Sequence, residues 1–548
     1  MSQEILLIVT TIIVWNDHGH LNTDVWDSPY WKKAENFAEP TPAHQKANLS
    51  LFDRLYHGTG GPFHTSYSHS YGASHRHWHA TLNKLGVKTN TSHFSGSNVG
   101  CWTTLTGVTP DRERCYSATA YYRPVSDRQN LFLLTEATAQ EVLLEREDDQ
   151  WVARGVKFTR QGKEYSIKTL GEIVICGGSV SSPQLLELSG IGNPSILQAG
   201  GIECKVASPR VGENFQEHMS TMPIPLVFMI IDKLIVTAMV VELDSSVVTP
   251  DDLRADPALA AAADKQYALD RTGPRTTIPS SVAYLPFSHI IPADELQRWG
   301  QDLLDSSGSL HKQRNRLLVE RLTTDQNLGQ IEFYFDVSMY SPYFKTEPGK
   351  KYGTMLMMLQ YPFSTGSMHI PPTPPGKDRV TAEDKPVIDP RYYLGWGGDI
   401  DFRTMSLCER FADKICRTEP LSSIIVRRVF PPEKEGGSDE AEDFSDWVRD
   451  TTITDWHPVG TCAMGGHEGI KGGVVDDRLR VYGVKGLRVC DASIMPLQIA
   501  AHLQATVYAI GEKGADLIKE DWKATRKAAN VNGIPSTNGV NGLNGAIH

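Results

Sequence analysis

A mixed α/β (α+β) fold in two intertwined lobes is what this sequence predicts, and three observations carry the prediction. The chain is 548 residues long, beyond the size at which one hydrophobic core stops growing and the polypeptide divides. Residues 172–192 read as strand, glycine turn, helix and glycine stop, the unit from which parallel sheets are wound. From about residue 221 to 450 the pattern changes to alternating strands among charged helices, and dense Gly/Val/Leu patterning returns at 456–518. A chain that leaves one pattern and comes back to it fits a first domain interrupted by a second. The expected divisions are 1–220, 221–450 and 451–520, with a polar tail at 521–548 expected to be disordered.

Bulk chemistry narrows the partners. Apolar residues make up 40% of the chain and charged residues 22%, a globular composition. The net charge of -11 argues against nucleic acid or an anionic membrane as the main partner. Eight cysteines scattered from 101 to 490 are read as buried free thiols, with one or two disulfides left open. Ile5–Trp15 reads ILLIVTTIIVW, far short of the roughly 20 residues that cross a bilayer. With Glu4 before it in place of a basic region, it reads as a buried strand in preference to a secretory leader. No membrane span is expected, cytoplasmic placement is favoured over secretion, and a homo-oligomer is left open.

The elements follow in order. Lys32–Phe37 is expected to be a short helical piece, and Gly58–Pro62 a glycine turn. A helix over 71–88 is entered near Ser74, with Trp78, Leu82 and Leu85 along one face. Tyr116–Tyr122 reads as helical and Leu131–Thr135 as a strand. Strands at Gln140–Glu145 and Trp151–Thr159 follow, joined through Glu147–Asp149. Glu172–Cys176 is a buried strand, and Ser182-Pro183 supply the N-cap and first position of the next helix. The middle section adds strands at Gln330–Tyr340, Tyr352–Leu359 and Ser367–Ile370 and an amphipathic helix at Phe402–Ile415. It is read as a domain built on an antiparallel sheet.

Two histidines are the strongest candidates for chemistry. His457 sits in Asp455-Trp-His-Pro-Val-Gly-Thr-Cys-Ala-Met464, and His502 in Pro496-Leu-Gln-Ile-Ala-Ala-His-Leu-Gln504. An imidazole titrates near neutrality and can take or give a proton. Their spacing does not establish contact. Asp476, Asp477 and Asp491 are further candidates, with turn geometry and helix capping as the alternative, which is favoured for Asp476 and Asp477. No HExxH or tight His/Cys cluster suggests a metal, and no G-x-S-x-G elbow suggests a serine hydrolase. Gly177-Gly-Ser-Val-Ser is not G-x-G-x-x-G, and Gly190-Ile-Gly192 follows a helix instead of a strand.

Gly177-Gly-Ser-Val-Ser-Ser-Pro-Gln-Leu-Leu-Glu-Leu-Ser-Gly-Ile-Gly192 resembles the second signature of the glucose–methanol–choline oxidoreductases. Val211–His218, residues 360–396 and, most strongly, 457–518 resemble further segments of that family in the expected order. The resemblance implies FAD as cofactor, His457 as the base near the flavin, and His502 as the second active-site position. It also implies that Asp491, Ala492, Leu503 and Gln504 lie beside the flavin, that the Ala139 backbone lies near the adenine, and that Asn98 belongs to the segment covering the site. Members open with a strand–GxGxxG–helix, an acidic residue for the ribose and a first Gly/Ser-rich signature, none of which is found before Tyr30. The expectation is therefore a GMC-like FAD-binding domain that is N-terminally truncated, with a substrate domain on an antiparallel sheet.

Three functions are consistent with this reading. The first is FAD-dependent oxidation of an alcohol group of a small organic molecule or secondary metabolite. The second is a flavin-free cyclase or isomerase that keeps the histidine pair, and the third an inactive truncated fragment or binding protein.

Overall fold

The computed structural model describes residues 29–169, 171–221, 239–278, 280–306, 312–324, 327–339, 341, 344–433 and 443–531. The Ile5–Trp15 run, the acidic stretch at 434–442 and residues 532–548 lie outside the described residues.

One core gathers segments from both ends of the chain, with Val142, Ile175, Leu186, Val475, Leu479 and Val489 buried together. Ala137–Glu147 and Gln150–Arg160 form a long hairpin. Its connection is Asp148-Asp149, both at positive φ, as a two-residue turn between right-twisted strands requires. The expected strand at Leu131–Thr135 is absent: these residues are irregular, and Phe132 is 81% exposed. Its apolar run meets no neighbouring strand, and without a ladder partner strand propensity has nothing to stabilise. The helical piece expected at Lys32–Phe37 is likewise cut short. A helix over Pro29–Ala34 gives way to a strand at Glu35–Ala38 that pairs in parallel with Phe63–Tyr67. Buried Glu35 decides the switch, accepting from Gly58 N–H at 2.9 Å and Thr65 Oγ1 at 2.8 Å. Gly61 approaches the Ala34 backbone so closely that a Cβ would overlap it at 2.4 Å, so this glycine turn serves chain packing.

Ile173–Ile175 pairs in parallel with Leu487–Val489, and helix α1 (Gly178–Leu188) follows it. The helix begins well before the expected Ser182-Pro183 start, so Pro183 lies inside it. Proline has no N–H to offer the carbonyl four residues back. Thr461 fills the gap by donating its hydroxyl to Ser179 O at 2.7 Å, which fastens the 457–464 segment to α1. The last long helix, α2 (Gln504–Val531), continues through residues expected to be disordered from 521. Asp521 explains this: buried Arg488 donates to it at 2.7 Å and Arg478 pairs with it at 2.8 Å. No described helix is long and apolar enough to cross a membrane.

The second core lies under an eight-stranded sheet. Its strands are β1 (Gly100–Thr103), β2 (Met219–Thr221), β3 (Met239–Leu243), β4 (Ser281–Leu285), β5 (Ile331–Asp336), β6 (Lys351–Leu359), β7 (Ile425–Phe430) and β8 (Ile453–Thr454). The main order is β7-β3-β6-β5-β4-β1, antiparallel throughout, with β2 pairing both β6 and β8. Period-two alternation separates the two faces. Ala283, Phe333, Phe335, Met355 and Met357 pack into the core with helices Ala293–Ser306, Lys312–Thr323 and Gly398–Cys416. Register sets Val282, Tyr334 and Leu356 in one row and Tyr284, Glu332 and Met358 in the next, on the opposite face.

Candidate active site

The pairing of β2 with β8 brings together residues more than two hundred positions apart. Met219 faces Thr454, the Asp455 N–H donates to His218 O at 3.1 Å, and Gln216 and Val459 exchange hydrogen bonds at 3.1 and 2.9 Å. Residues 456–458 therefore bulge opposite the single residue Glu217. Trp456 takes φ of +56°, a left-handed conformation that costs a bulky residue about 1–3 kcal/mol. The turn is held by Glu217, whose Oε1 accepts from the His457 N–H at 2.6 Å, and by Gln498, which donates to His457 O at 2.7 Å. Burial pushes the Glu217 carboxyl up to about 8.

His502 arrives from the loop before α2. Asn98 Nδ2 donates to Ala500 O at 2.9 Å and its Oδ1 accepts from Gly329 N–H at 2.7 Å, so Asn98 ties that loop to the segment before β5. The His457 and His502 rings lie 4.8 Å apart and nearly perpendicular, at 87°. Glu332 reaches His502 Nε2 at 3.0 Å and also accepts from the Tyr284 hydroxyl and from Gln360 Nε2 at 3.3 Å.

The environments push the two histidines in opposite directions. Burial, reinforced by the charge of His502, lowers His457 to about 3, so it is neutral at physiological pH. Burial would lower His502 as well, but the charge and hydrogen bond of Glu332 outweigh it and hold His502 at about 9. Burial raises Asp455 to about 6, against the pull of His502 and His218. Asp455 Oδ2 lies 2.9 Å from His457 Nδ1. The facing Nδ1 atoms of His218 and His457 are paired with each other at 3.0 Å. These two nitrogens and the Asp455 carboxylate are close enough together to surround a cation, but the nitrogens already satisfy one another.

A cavity of about 910 Å³ opens over the pair. One wall is the free sheet face, with Val282, Glu332, Tyr334, Leu356 and Met358; the other is Gly178, Ser179, Asp491, Ala492, Leu503 and Gln504. Of the residues singled out in the sequence, His457, His502, Asp491, Ala492, Leu503 and Gln504 thus line one space. Asn98 stands behind it, and Ala139 lies exposed on the hairpin beside a register shift, outside the cavity lining. The Asp491 oxygens are filled: Oδ2 accepts from Gly178 N–H and Ser182 Oγ, and Oδ1 from Ser493 N–H and Oγ. Its carboxylate locks α1 to the turn at Ala492–Ile494. Sequence reasoning missed Glu332, His218 and Asp455. A carboxylate amid the apolar residues of Gln330–Tyr340 is the one signal that pointed to Glu332.

Family models described as GMC oxidoreductase match residues 24–220 and 362–511. Dehydrogenase citC of Monascus ruber is 32% identical over 521 residues, covering 90% of this chain and 77% of the relative. The chain belongs to the GMC oxidoreductase family. Glucose oxidase 2 of Penicillium expansum is 26% identical, covering 91% of this chain and 74% of that protein. Among solved structures, an FAD-dependent oxidoreductase from Chaetomium thermophilum superposes with a TM-score of 0.77 at 21% identity, covering 93% of this chain and 83% of its own. A fungal aryl-alcohol oxidase gives 0.72 at 22% identity, covering 95% and 82%. At these identities the likeness is one of fold.

The match over 24–220 overturns the expectation of an N-terminally truncated FAD-binding domain: the family's N-terminal domain is present. That expectation rested on the missing strand–GxGxxG–helix, ribose acid and first Gly/Ser-rich signature before Tyr30, whereas the family match spans residues 24–220 without requiring them there. The reading of an inactive truncated fragment falls with it. This GMC protein is an oxidoreductase acting on a CH–OH group of a small organic substrate, and FAD is the cofactor its family implies.

Proposed function

We propose that this GMC protein oxidises the carbinol carbon of an apolar, ring-sized alcohol, with His457 as the base and His502 orienting the hydroxyl oxygen. The carrying observation is the neutral–cationic histidine pair on the floor of a cavity with one apolar wall. Pairs of titratable groups whose environments separate their pKa values are the arrangement acid–base chemistry needs.

The second wall fits a flavin. Gly178 has φ of +73° and no atom within 4 Å of where a Cβ would be, so the space in front of it is free for a planar ring. Thr104 Oγ1 is buried at the cavity without a hydrogen-bond partner among the described residues, a donor suited to a ring heteroatom. The first N–H groups of α2 carry the positive end of the helix and have no partners within it. Leu503 and Gln504, where α2 begins, would present them to the electronegative edge of the ring. Ala492 would lie beside it, while Asp491 would act by holding α1 in place.

When bound, FAD supplies the acceptor for the hydride leaving the carbinol carbon. The chain's own residues do the rest. His457 takes the hydroxyl proton, and the His502 cation stabilises negative charge growing on the oxygen. Tyr334, Leu356 and Met358 pack the organic body and exclude water. Benzylic alcohols, starting with 4-methoxybenzyl alcohol, should reduce an artificial dye acceptor with FAD-loaded protein. His457→Ala should lower kcat by on the order of 10²–10⁴. Turnover of polyols but not of aryl alcohols, or an unchanged His457→Ala rate, would reject the assignment.

A further inference from the structure

We propose that His218, buried behind the pair and outside the cavity, fixes the tautomer of His457 and thereby aims its basic nitrogen at the substrate. This rests on the reading of His457 as the base. Hydrogen-bond direction fixes the tautomer. His218 Nε2 lies 2.6 Å from Ile499 O, and a carbonyl can only accept, so Nε2 carries the hydrogen. His218 is fully buried, and burial pushes it down to about 3, which leaves the ring neutral with a bare Nδ1. That bare nitrogen is 3.0 Å from His457 Nδ1, so the hydrogen between them belongs to His457. His457 is neutral too, and its Nε2 therefore holds the free lone pair.

The groups facing this edge are few. Asp455 Oδ2 lies 2.9 Å from His457 Nδ1, yet among the described residues no donor completes a hydrogen bond to it. His502, hydrogen-bonded to Glu332, packs edge-on with the His457 ring at 4.8 Å. Glu217 grips the backbone of His457 and does not touch the ring. Hydrogen-bond polarity thus runs from His457 through His218 to Ile499 O. The proton leaving the substrate hydroxyl is received at His457 Nε2 while Nδ1 keeps its own. The resulting imidazolium sits beside Asp455, so His218 sets orientation and Asp455 offsets charge. The same residue types in the opposite tautomer would place a hydrogen where the lone pair must be.

The test uses full-length, FAD-loaded protein labelled with 15N-histidine. In the wild type, long-range proton–nitrogen spectra should show His457 as the Nδ1–H tautomer, with a pyridine-type Nε2 and a low-field Nδ1–H proton. His457→Phe assigns these signals. His218→Phe should abolish the low-field proton and lower kcat for 4-methoxybenzyl alcohol by on the order of 10² with little change in KM. His218→Asn, which can offer an oxygen where Nδ1 stood, should restore the proton and most of kcat. An Nε2–H tautomer in the wild type overturns the proposal even if no variant folds, and so does a low-field proton that survives His218→Phe. If the tautomer follows His218 but His457→Phe keeps full kcat, the tautomer link stands and the base assignment fails.

Discussion

Glu332 shows how one side chain can divide two otherwise similar histidines. It is the second residue of β5, with almost no exposure, bonded to His502 on one oxygen and to Tyr284 and Gln360 on the other. His502, 41% exposed where it faces the cavity, stays cationic to about pH 9 because of this contact. The kcat profile should therefore fall on a limb near pH 9. In Glu332→Gln that limb should move down toward the ordinary histidine range, which a steady-state pH series would show. Stability follows linkage. His502 has a raised folded pKa, so its contribution is fully present below about 6.5 and is lost as pH rises through about 9. His79, His218 and His457 are held near 3 by burial, so the unfolded chain takes up their protons first and stability falls as pH drops below about 6.5. His79→Phe removes one of these groups, so the difference in urea midpoint between pH 7.5 and pH 5 should shift toward greater stability at pH 5 relative to wild type, and an unchanged difference would contradict the depressed His79.

Pro183 inside α1 ties two distant segments into one element pair. The carbonyl it leaves unpaired is served by Thr461, four residues after His457, so the defect in the helix positions the catalytic loop. Thr461→Val leaves Ser179 O buried without its donor and should cost about 1–3 kcal/mol by urea denaturation. Part of this was legible in the sequence. The long hairpin could be read from alternation and its Asp-Asp turn, and the Ala73–Lys84 helix from the spacing of Trp78 and Leu82, because each signal is local. The Leu131–Thr135 strand was misplaced because a strand exists only with a partner. The start of α1 was misplaced because a distant hydroxyl relieved the proline. His218, Asp455 and Glu332 were hidden for the same reason: β2–β8 pairing and the register of β4, β5 and β6 set them at the site, and no spacing rule encodes that register.

The chain places its chemistry where its two cores meet. The sheet over one core turns its other, apolar face to the site, and the second core supplies α1 with Gly178 and the start of α2. A ligand filling a cavity of about 910 Å³ between them should hold both together. FAD at a hundredfold excess over its Kd should raise unfolding stability by about 2.7 kcal/mol, visible as a shift in thermal midpoint. The most direct measurement is the absorption spectrum of the purified chain, incubated with FAD and then desalted. Retained flavin bands at one equivalent per chain are predicted, with loss of retention in Gly178→Leu. Wild-type protein that emerges without flavin absorbance would contradict the account.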